Sequence, residues 1–335
     1  MRGDAAHGGT GGSGSRGFSL LELMSVIISM GVIMMVSVAV FKHCTQAGIR
    51  LESNDNLKNF GQQAINGLRQ QLTQSRVLYQ NDTYGNALWG RLQIPAGFSP
   101  LGTTTLPTIH ETGSLSPSEA SDLTTPFDPA SVGNALLFIE SLGHTPAGSR
   151  WIDLYRLHAY YLHKYTGVNV ARRGCGYDLL EWEGQRYADY SQLSGAPDTV
   201  YQALIAQGVT QAWNALGTSV GTTVYTINAA GTLTALASPV LSYTSVQSAT
   251  HLFGSRGDTH YAVAFNRGPG FAIDDSVPAY ATASASGDGF PNGFETAVVG
   301  PTGGRKILLR LVMVAEGYGG RYTHENIALA QAKNY

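Results

Sequence analysis

The chain has 335 residues, a length that predicts about two domains, and its 21 Lys and Arg against 23 Asp and Glu give a formal net charge of −2. Charged residues make up 13% of the chain, about half of the usual ~25%, which argues against a strongly basic nucleic-acid-binding domain and against an acidic disordered tail. Two cysteines exclude a disulfide-stapled scaffold and a zinc site with four cysteine ligands.

The amino-terminal part of the chain changes character abruptly. Residues 1–17 are polar and glycine-rich, and an apolar run follows from Phe18 to Phe41. No proline occurs before Pro95, so nothing breaks a helix over this run. Such a helix would be about 36 Å long at 1.5 Å per residue, enough to cross a bilayer. The run carries a single charged residue, Glu22, and a carboxylate in a membrane segment usually has a partner because an isolated charge there is costly.

Two ordinary explanations of this run come first. A secretory signal peptide is disfavoured, because its apolar part is shorter, about 7–15 residues, and because no A-x-A cleavage site follows the run. A plain single-pass anchor, in which Glu22 has no role, stays open.

The junction RGFSLLELM, residues 16–24, resembles the leader of type IV prepilins and type II secretion pseudopilins. The resemblance implies that a prepilin peptidase cleaves between Gly17 and Phe18 and methylates the new amino terminus at Phe18. It also implies that Glu22, the fifth residue of the mature chain, acts in filament assembly. The implied segments are a leader at 1–17, a transmembrane and filament-core helix at 18–41, an amphipathic continuation of that helix at 42–78, and a globular antiparallel β head at 79–335.

The pairing of Glu22 can also be argued from physical chemistry. Cleavage would place an α-amino group, with an ordinary pKa of ~7.7–8.0, at the head of an apolar helix, one turn from Glu22. In surroundings of low polarity a carboxylate needs a cation, and the amine of a neighbouring subunit's Phe18 would supply one. The small residues of the run would allow close helix packing, or are ordinary membrane-helix composition; they are Ser25, Ser29, Gly31, Ser37 and Ala39.

The apolar run continues into an amphipathic helix. After Leu51, apolar residues recur at helical spacing, which predicts one nearly continuous helix from about Phe18 to about Gln74. We expect its apolar stripe to lie on a sheet. The stripe consists of Leu57, Phe60, Ala64, Ile65, Leu68 and Leu72.

The remainder of the chain favours strands separated by turns, and hence an α+β fold in which an antiparallel sheet with large loop insertions packs on the amino-terminal helix. Looser patterns in this part resemble the heads of W-type minor pilins and J-type pseudopilins. The strand predictions are 134–140, 151–165, 177–183, 260–265, 306–315 and 322–330. A short helix is predicted at 200–216, a long loop at 98–132 and a small hairpin within 216–250.

Few residues of the head suggest a site. Asp288, Asn292 and Glu295 lie in or beside a glycine-rich loop and are candidate calcium ligands, although their spacing does not match an EF-hand and a solvated turn is the alternative. Cys44 and Cys175 are expected to be two separate thiols rather than a disulfide.

Catalytic and metal-binding patterns are weak. His158 and His163 are five residues apart on a predicted strand, so they should face opposite sides and not share a metal ion. Glu181 and Glu183 share a strand face, but no cleft is evident for acid–base catalysis. No G-x-S-x-G, Walker or H-E-x-x-H motif occurs, so we expect neither an enzyme nor a cofactor.

The sequence therefore favours a minor, priming or tip-associated type IV pilin-like subunit, because a large head is easier to accommodate at a filament tip. Expected partners are the prepilin peptidase, other pilin or pseudopilin subunits and the assembly platform. Before assembly the chain would span the bacterial inner membrane with its head in the periplasm, and later lie in a pilus or at the cell surface. Direct nucleic-acid binding is not expected. Alternatives are a type II secretion or DNA-uptake pseudopilin and, from another class, a membrane-tethered adhesin or binding module.

Overall fold

The computed structural model describes residues 19–100, 104–112, 132–164, 177–214, 223–236, 239–250, 260–263, 293–301, 303–317 and 320–332. The predicted α+β class is confirmed, since a long apolar helix contacts a mostly antiparallel sheet. Helix α1 runs from Leu20 to Thr73, within two residues of the predicted ends. The chain forms two compact units, Met1–Arg50 and Leu51–Tyr335, and α1 contributes to both.

Among the described residues of the second unit, α1 is followed by three short helices and thirteen strands. The helices are α2 (Thr83–Trp89), α3 (Tyr190–Leu193) and α4 (Asp198–Ala206). The strands are β1 (Ser75–Leu78), β2 (Ile109–His110), β3 (Ala135–Ala147), β4 (Arg150–Lys164), β5 (Tyr177–Asp189), β6 (Gln211–Trp213), β7 (Val224–Ile227), β8 (Leu233–Leu236), β9 (Tyr243–Ser248), β10 (His260–Val263), β11 (Phe294–Val299), β12 (Arg305–Gly317) and β13 (Gly320–Ala332).

The strands form one sheet that contains two long antiparallel parts. One is the ribbon β1-β3-β4-β5, and the other is the hairpin β12-β13. Strand β10 connects them, because it pairs with β5 and with β12. The parallel strand pairs in the described part of the chain are β2 with β11 and β5 with β6.

Both faces of the central strands are buried, which explains their nearly continuous apolar sequences. The face toward α1 carries Phe138, Tyr160 and Leu179, and these pack with the apolar stripe of the helix. The opposite face carries Leu157 and Trp182 and is covered partly by α2 and β7. The predicted burial of the helix stripe on a sheet is therefore confirmed, with Phe60 partly buried and the other stripe residues buried.

The predicted helix at 200–216 is wrong in its second half. Helix α4 ends at Ala206, and Gly208 adopts a φ of +76°, the left-handed conformation that commonly ends helices. Val209 then packs in the core beside α4. Trp213 lies in strand β6, where pairing with β5 replaces helical hydrogen bonds.

Several strand boundaries also differ from the predictions. Strand β3 continues to Ala147 because a bulge between Ser141 and Gly143 restores its pairing with β4. The amphipathic continuation of the helix was predicted to extend over residues 42–78, but its last residues, Ser75–Leu78, form strand β1. The hairpin predicted within 216–250 is confirmed as β7 and β8. The predicted loop at 98–132 contains β2, while residues 101–103 and 113–131 lie outside the described residues.

Replacement by alanine is expected to change the free energy of unfolding in opposite directions at two glycines of α1. A Cβ at Gly61 would overlap the buried side-chain amide of Asn326 and lie 3.3 Å from Met313 Cγ, whereas a Cβ at Gly67 has no neighbour within 4 Å. We expect Gly61→Ala to lower the free energy of unfolding by about 1–3 kcal/mol, partly offset by roughly 1 kcal/mol of helix propensity. Gly67→Ala should raise it by up to about 1 kcal/mol. Denaturant unfolding of the full chain in detergent measures both, and a stabilising Gly61→Ala would contradict this packing.

Candidate assembly site and a buried polar cluster

The amino-terminal part of α1 presents an apolar surface. Its large apolar side chains, from Leu20 to Phe41, are all more than half exposed within the described part of the chain. By length and composition this helix could cross a membrane as a single anchor or act as a signal. A continuous apolar surface of this extent marks contact with a membrane or with other protein surfaces.

Glu22 is held at the head of α1 by a reciprocal pair of hydrogen bonds with Ser19. The backbone N–H of Ser19 donates to Glu22 Oε2 (3.0 Å), and the backbone N–H of Glu22 donates to Ser19 Oγ (3.2 Å). This is a capping box, which satisfies two amide groups that the first helical turn leaves without partners. The carboxylate also lies where the helix dipole favours negative charge. Gly17 and Phe18, the predicted processing residues, lie outside the described residues.

Two hydroxyl groups of the apolar segment and one just beyond it are satisfied within the helix itself. Ser25 Oγ donates to the carbonyl of Glu22 (2.9 Å), and Ser29 Oγ donates to the carbonyl of Ser25 (2.8 Å). Thr45 bonds to the carbonyl of Phe41 in the same way. These hydroxyls therefore need no water, as an apolar environment requires.

The structure describes part of the other predicted sites. Cys44 is an exposed free thiol, and Cys175 lies outside the described residues. Of the calcium candidates, Glu295 is fully buried on β11 and accepts a hydrogen bond from Arg310 Nη1 (3.4 Å). Asp288 and Asn292 lie outside the described residues. No group of three metal-ligating side chains occurs in the part of the chain that the structure describes.

A polar cluster lies between the sheet and the end of α1. The side chain of His158 is 3% exposed, and its Nε2 donates to Glu140 Oε2 (2.8 Å) while its Nδ1 lies 3.4 Å from Glu181 Oε1. Its ring stacks on Phe138 with centroids 5.5 Å apart. His163 instead contacts the carbonyl of Ser99, so the two histidines do not share a site.

The cluster reaches helix α1 through Gln71. Gln71 Nε2 donates to Glu181 Oε1 (2.6 Å), and Tyr160 Oη donates to Gln71 Oε1 (2.7 Å). Beside them, Arg156 pairs with Glu183, which also accepts a hydrogen bond from Ser245 Oγ (2.8 Å). These hydrogen bonds and ion pairs connect helix α1 to strands β4 and β5.

The pKa values of the cluster are shifted in opposite directions. Burial by itself would lower the pKa of His158, but the interactions with Glu140 and Glu181 outweigh it and raise this pKa above its ordinary 6.5. Burial would raise the pKa of Glu181, but its contacts with His158 and Gln71 outweigh burial and lower this pKa to about 2. Both shifts favour an imidazolium between carboxylates.

Sequence reasoning singled out His158, Glu181 and Glu183 but did not bring them together, and it missed Glu140, Gln71 and Ser19. A signal existed for Gln71, because it follows Leu68 by three residues and so continues the apolar stripe as a polar member. A signal also existed for Ser19, because S-x-x-E at the start of an apolar run is a capping-box pattern. For Glu140 the sequence held no comparable pattern.

A long apolar amino-terminal helix is exposed over its first part, and its later part packs on an antiparallel sheet. The architecture is pilin-like. Comparison of the chain with protein-family models, curated proteins and solved structures gives no match.

Proposed function

We propose that this chain is a minor, priming or tip-associated subunit of a type IV pilus or a related pseudopilus, with a structural rather than an enzymatic role. A prepilin peptidase cleaves it between Gly17 and Phe18 and methylates Phe18. The apolar part of α1 spans the inner membrane before assembly, with the head in the periplasm. Other pilin or pseudopilin subunits and the assembly platform are its partners.

One observation carries the proposal: α1 is a single helix with two different surroundings. From Leu20 to Phe41 its apolar side chains are exposed, whereas from Leu57 to Leu72 its apolar stripe is buried. A simple anchor needs no helical continuation built into the core of the head. A filament subunit does, because the helix that packs among its sister helices must also carry the head.

The exposed segment suits transfer between two apolar environments. Leaving lipid for a bundle of sister helices exposes little apolar surface to water, so the transfer loses little of the hydrophobic free energy. Hydrophobic packing alone does not fix the axial register of one helix against the next. The single carboxylate of this segment, at Glu22, fixes that register by pairing with the cationic amine that processing creates on a neighbouring subunit.

The test is mass spectrometry of the amino terminus of the native protein, purified both from membranes and from a sheared surface fraction. We expect an N-methylated Phe18 in both, and Gly17→Val should retain the leader and be missing from the sheared fraction. A native protein that begins at Met1, or that is cleaved beyond Phe41, would overturn the proposal. Recovery only in membranes, with Phe18 processed, would support a short pseudopilus rather than a surface pilus.

A further inference from the structure

The polar cluster under α1 has its charges arranged across three adjacent strands. His158 on β4 lies opposite Phe138 on β3 and opposite Glu183 on β5. Glu140 and Glu181 approach the imidazole from the two neighbouring strands, one at each ring nitrogen. The imidazole is thus the cation between two carboxylates that are each only 12% exposed.

The charge balance of this cluster depends on one proton. With His158 protonated, two cations (Arg156 and His158) face three carboxylates (Glu140, Glu181 and Glu183). Without that proton, one guanidinium faces the same three carboxylates. A neutral imidazole also has a single N–H, so it can donate to only one of its two carboxylate neighbours. The other is then a buried charge that has lost its cation, which is strongly unfavourable.

Other polar side chains that the structure describes also contact the cluster. Gln71 on α1 and Gln247 on β9 donate hydrogen bonds to Glu181, and Ser245 on β9 donates one to Glu183. Tyr160 donates from β4 itself. Arg76 on β1 interacts electrostatically with Tyr155, whose ring lies in the core on the opposite face of the sheet.

Glu181 connects this charge balance to the helix. It is within ion-pair distance of His158 and also accepts the hydrogen bond from Gln71, which Tyr160 holds from the other side. The side-chain hydrogen bond from Asn56 to Tyr261 (3.1 Å) holds α1 four turns earlier and includes no member of the cluster. A change at His158 should therefore act on the end of α1 and spare its middle.

We propose that His158, Glu140 and Glu181 form a proton-dependent clamp that holds the carboxyl-terminal end of α1 on the sheet when the imidazole is charged, and releases that end when the imidazole loses its proton. The clamp is a property of the head and does not depend on the filament role. It makes the rigidity of the connection between α1 and the sheet a function of pH.

The direction of the pH dependence follows from the pKa shifts. The pKa of His158 is higher in the folded chain than its ordinary 6.5, so the stabilisation is complete below about pH 6.5 and is lost as the pH rises through the folded pKa. The pKa of Glu181 is lowered from 4.5 to about 2, so its contribution is complete above about pH 4.5 and is lost as the pH falls toward 2. The clamp is tightest between these limits.

The experiment is hydrogen–deuterium exchange of the full chain in detergent micelles at pH 6 and pH 9, corrected for the intrinsic pH dependence of exchange. We expect protection of residues 66–73 to fall by roughly tenfold or more at pH 9, the effect of losing a charged hydrogen bond. Protection around Asn56 should change by less than about twofold. NMR titration of the His158 ring, assigned by its loss in His158→Gln, should give a midpoint above 6.5.

Two variants and a control decide the outcome. In His158→Gln the pH-dependent fall at residues 66–73 should disappear, whereas His144→Gln, at a histidine whose side chain is 66% exposed, should behave like the wild type. If His158→Gln does not fold, Gln71→Ala decides, because it should keep the His158 titration and abolish the pH response of the helix end. The clamp would be overturned if protection of residues 66–73 did not fall at pH 9 in the wild type, or if it fell equally in His158→Gln or Gln71→Ala. A titration midpoint of the His158 ring below 6.5 would also overturn it.

Discussion

Glu22→Ala is expected to leave cleavage after Gly17 unchanged while lowering incorporation into filaments by roughly tenfold or more. In the proposed function the peptidase acts on the junction before Phe18, whereas Glu22 acts later, when a carboxylate in an apolar bundle must meet a cation. A charged hydrogen bond contributes about 1.5–3 kcal/mol, and each 1.4 kcal/mol is a factor of ten in an equilibrium constant. The ratio of the protein in sheared filaments to that in membranes measures incorporation, and mass spectrometry of its amino terminus measures processing.

Two controls separate the charge of Glu22 from its role as a cap. Glu22→Gln keeps a side-chain oxygen that can accept the N–H of Ser19 but removes the charge, so it should assemble as poorly as Glu22→Ala. Glu52→Ala removes a charge from an exposed position of the same helix and should assemble normally. Normal assembly of Glu22→Gln would assign the effect to the capping box, and normal assembly of Glu22→Ala would contradict the pairing altogether.

Helix α1 could be predicted from the sequence almost to the residue because its signals are local. The apolar run contains no proline, and the later stripe repeats at helical spacing, so the sequence of each turn predicts a helix by itself. The strand centres were predictable for the same reason, since aromatic and β-branched residues favour a buried sheet. These patterns do not depend on which strands become neighbours.

The ends of the strands and of α4 could not be predicted because they depend on single backbone choices. The bulge before Gly143 extends β3 by a register change, and the left-handed Gly208 turns a helical pattern into a strand. Neither leaves a periodic signal. The clamp was hidden for a different reason: Glu140, His158 and Glu181 come from three strands, and their meeting depends on sheet register that only the pairing of the strands fixes.

Arg310→Ala is expected to lower the free energy of unfolding by about 3–5 kcal/mol, because it leaves a buried carboxylate without its cation. Arg310 and Glu295 are both fully buried on neighbouring strands β12 and β11, with Nη1 3.4 Å from Oε2, and Arg310 also pairs with Glu325 on β13. The guanidinium thus connects the three consecutive strands β11, β12 and β13.

A matched control lies on the same strand. Arg305 also forms an ion pair from β12, 3.0 Å from Glu111 Oε1, but Glu111 is 55% exposed. Such a pair contributes about 0–1 kcal/mol, so Glu111→Ala should have little effect in the same denaturant unfolding of the full chain. If the cost of Arg310→Ala comes from the stranded charge, Glu295→Gln in the Arg310→Met background should recover part of the loss, since a neutral amide is cheaper to bury than a carboxylate. A double variant less stable than Arg310→Met alone would instead mean that Glu295 has a cation other than Arg310.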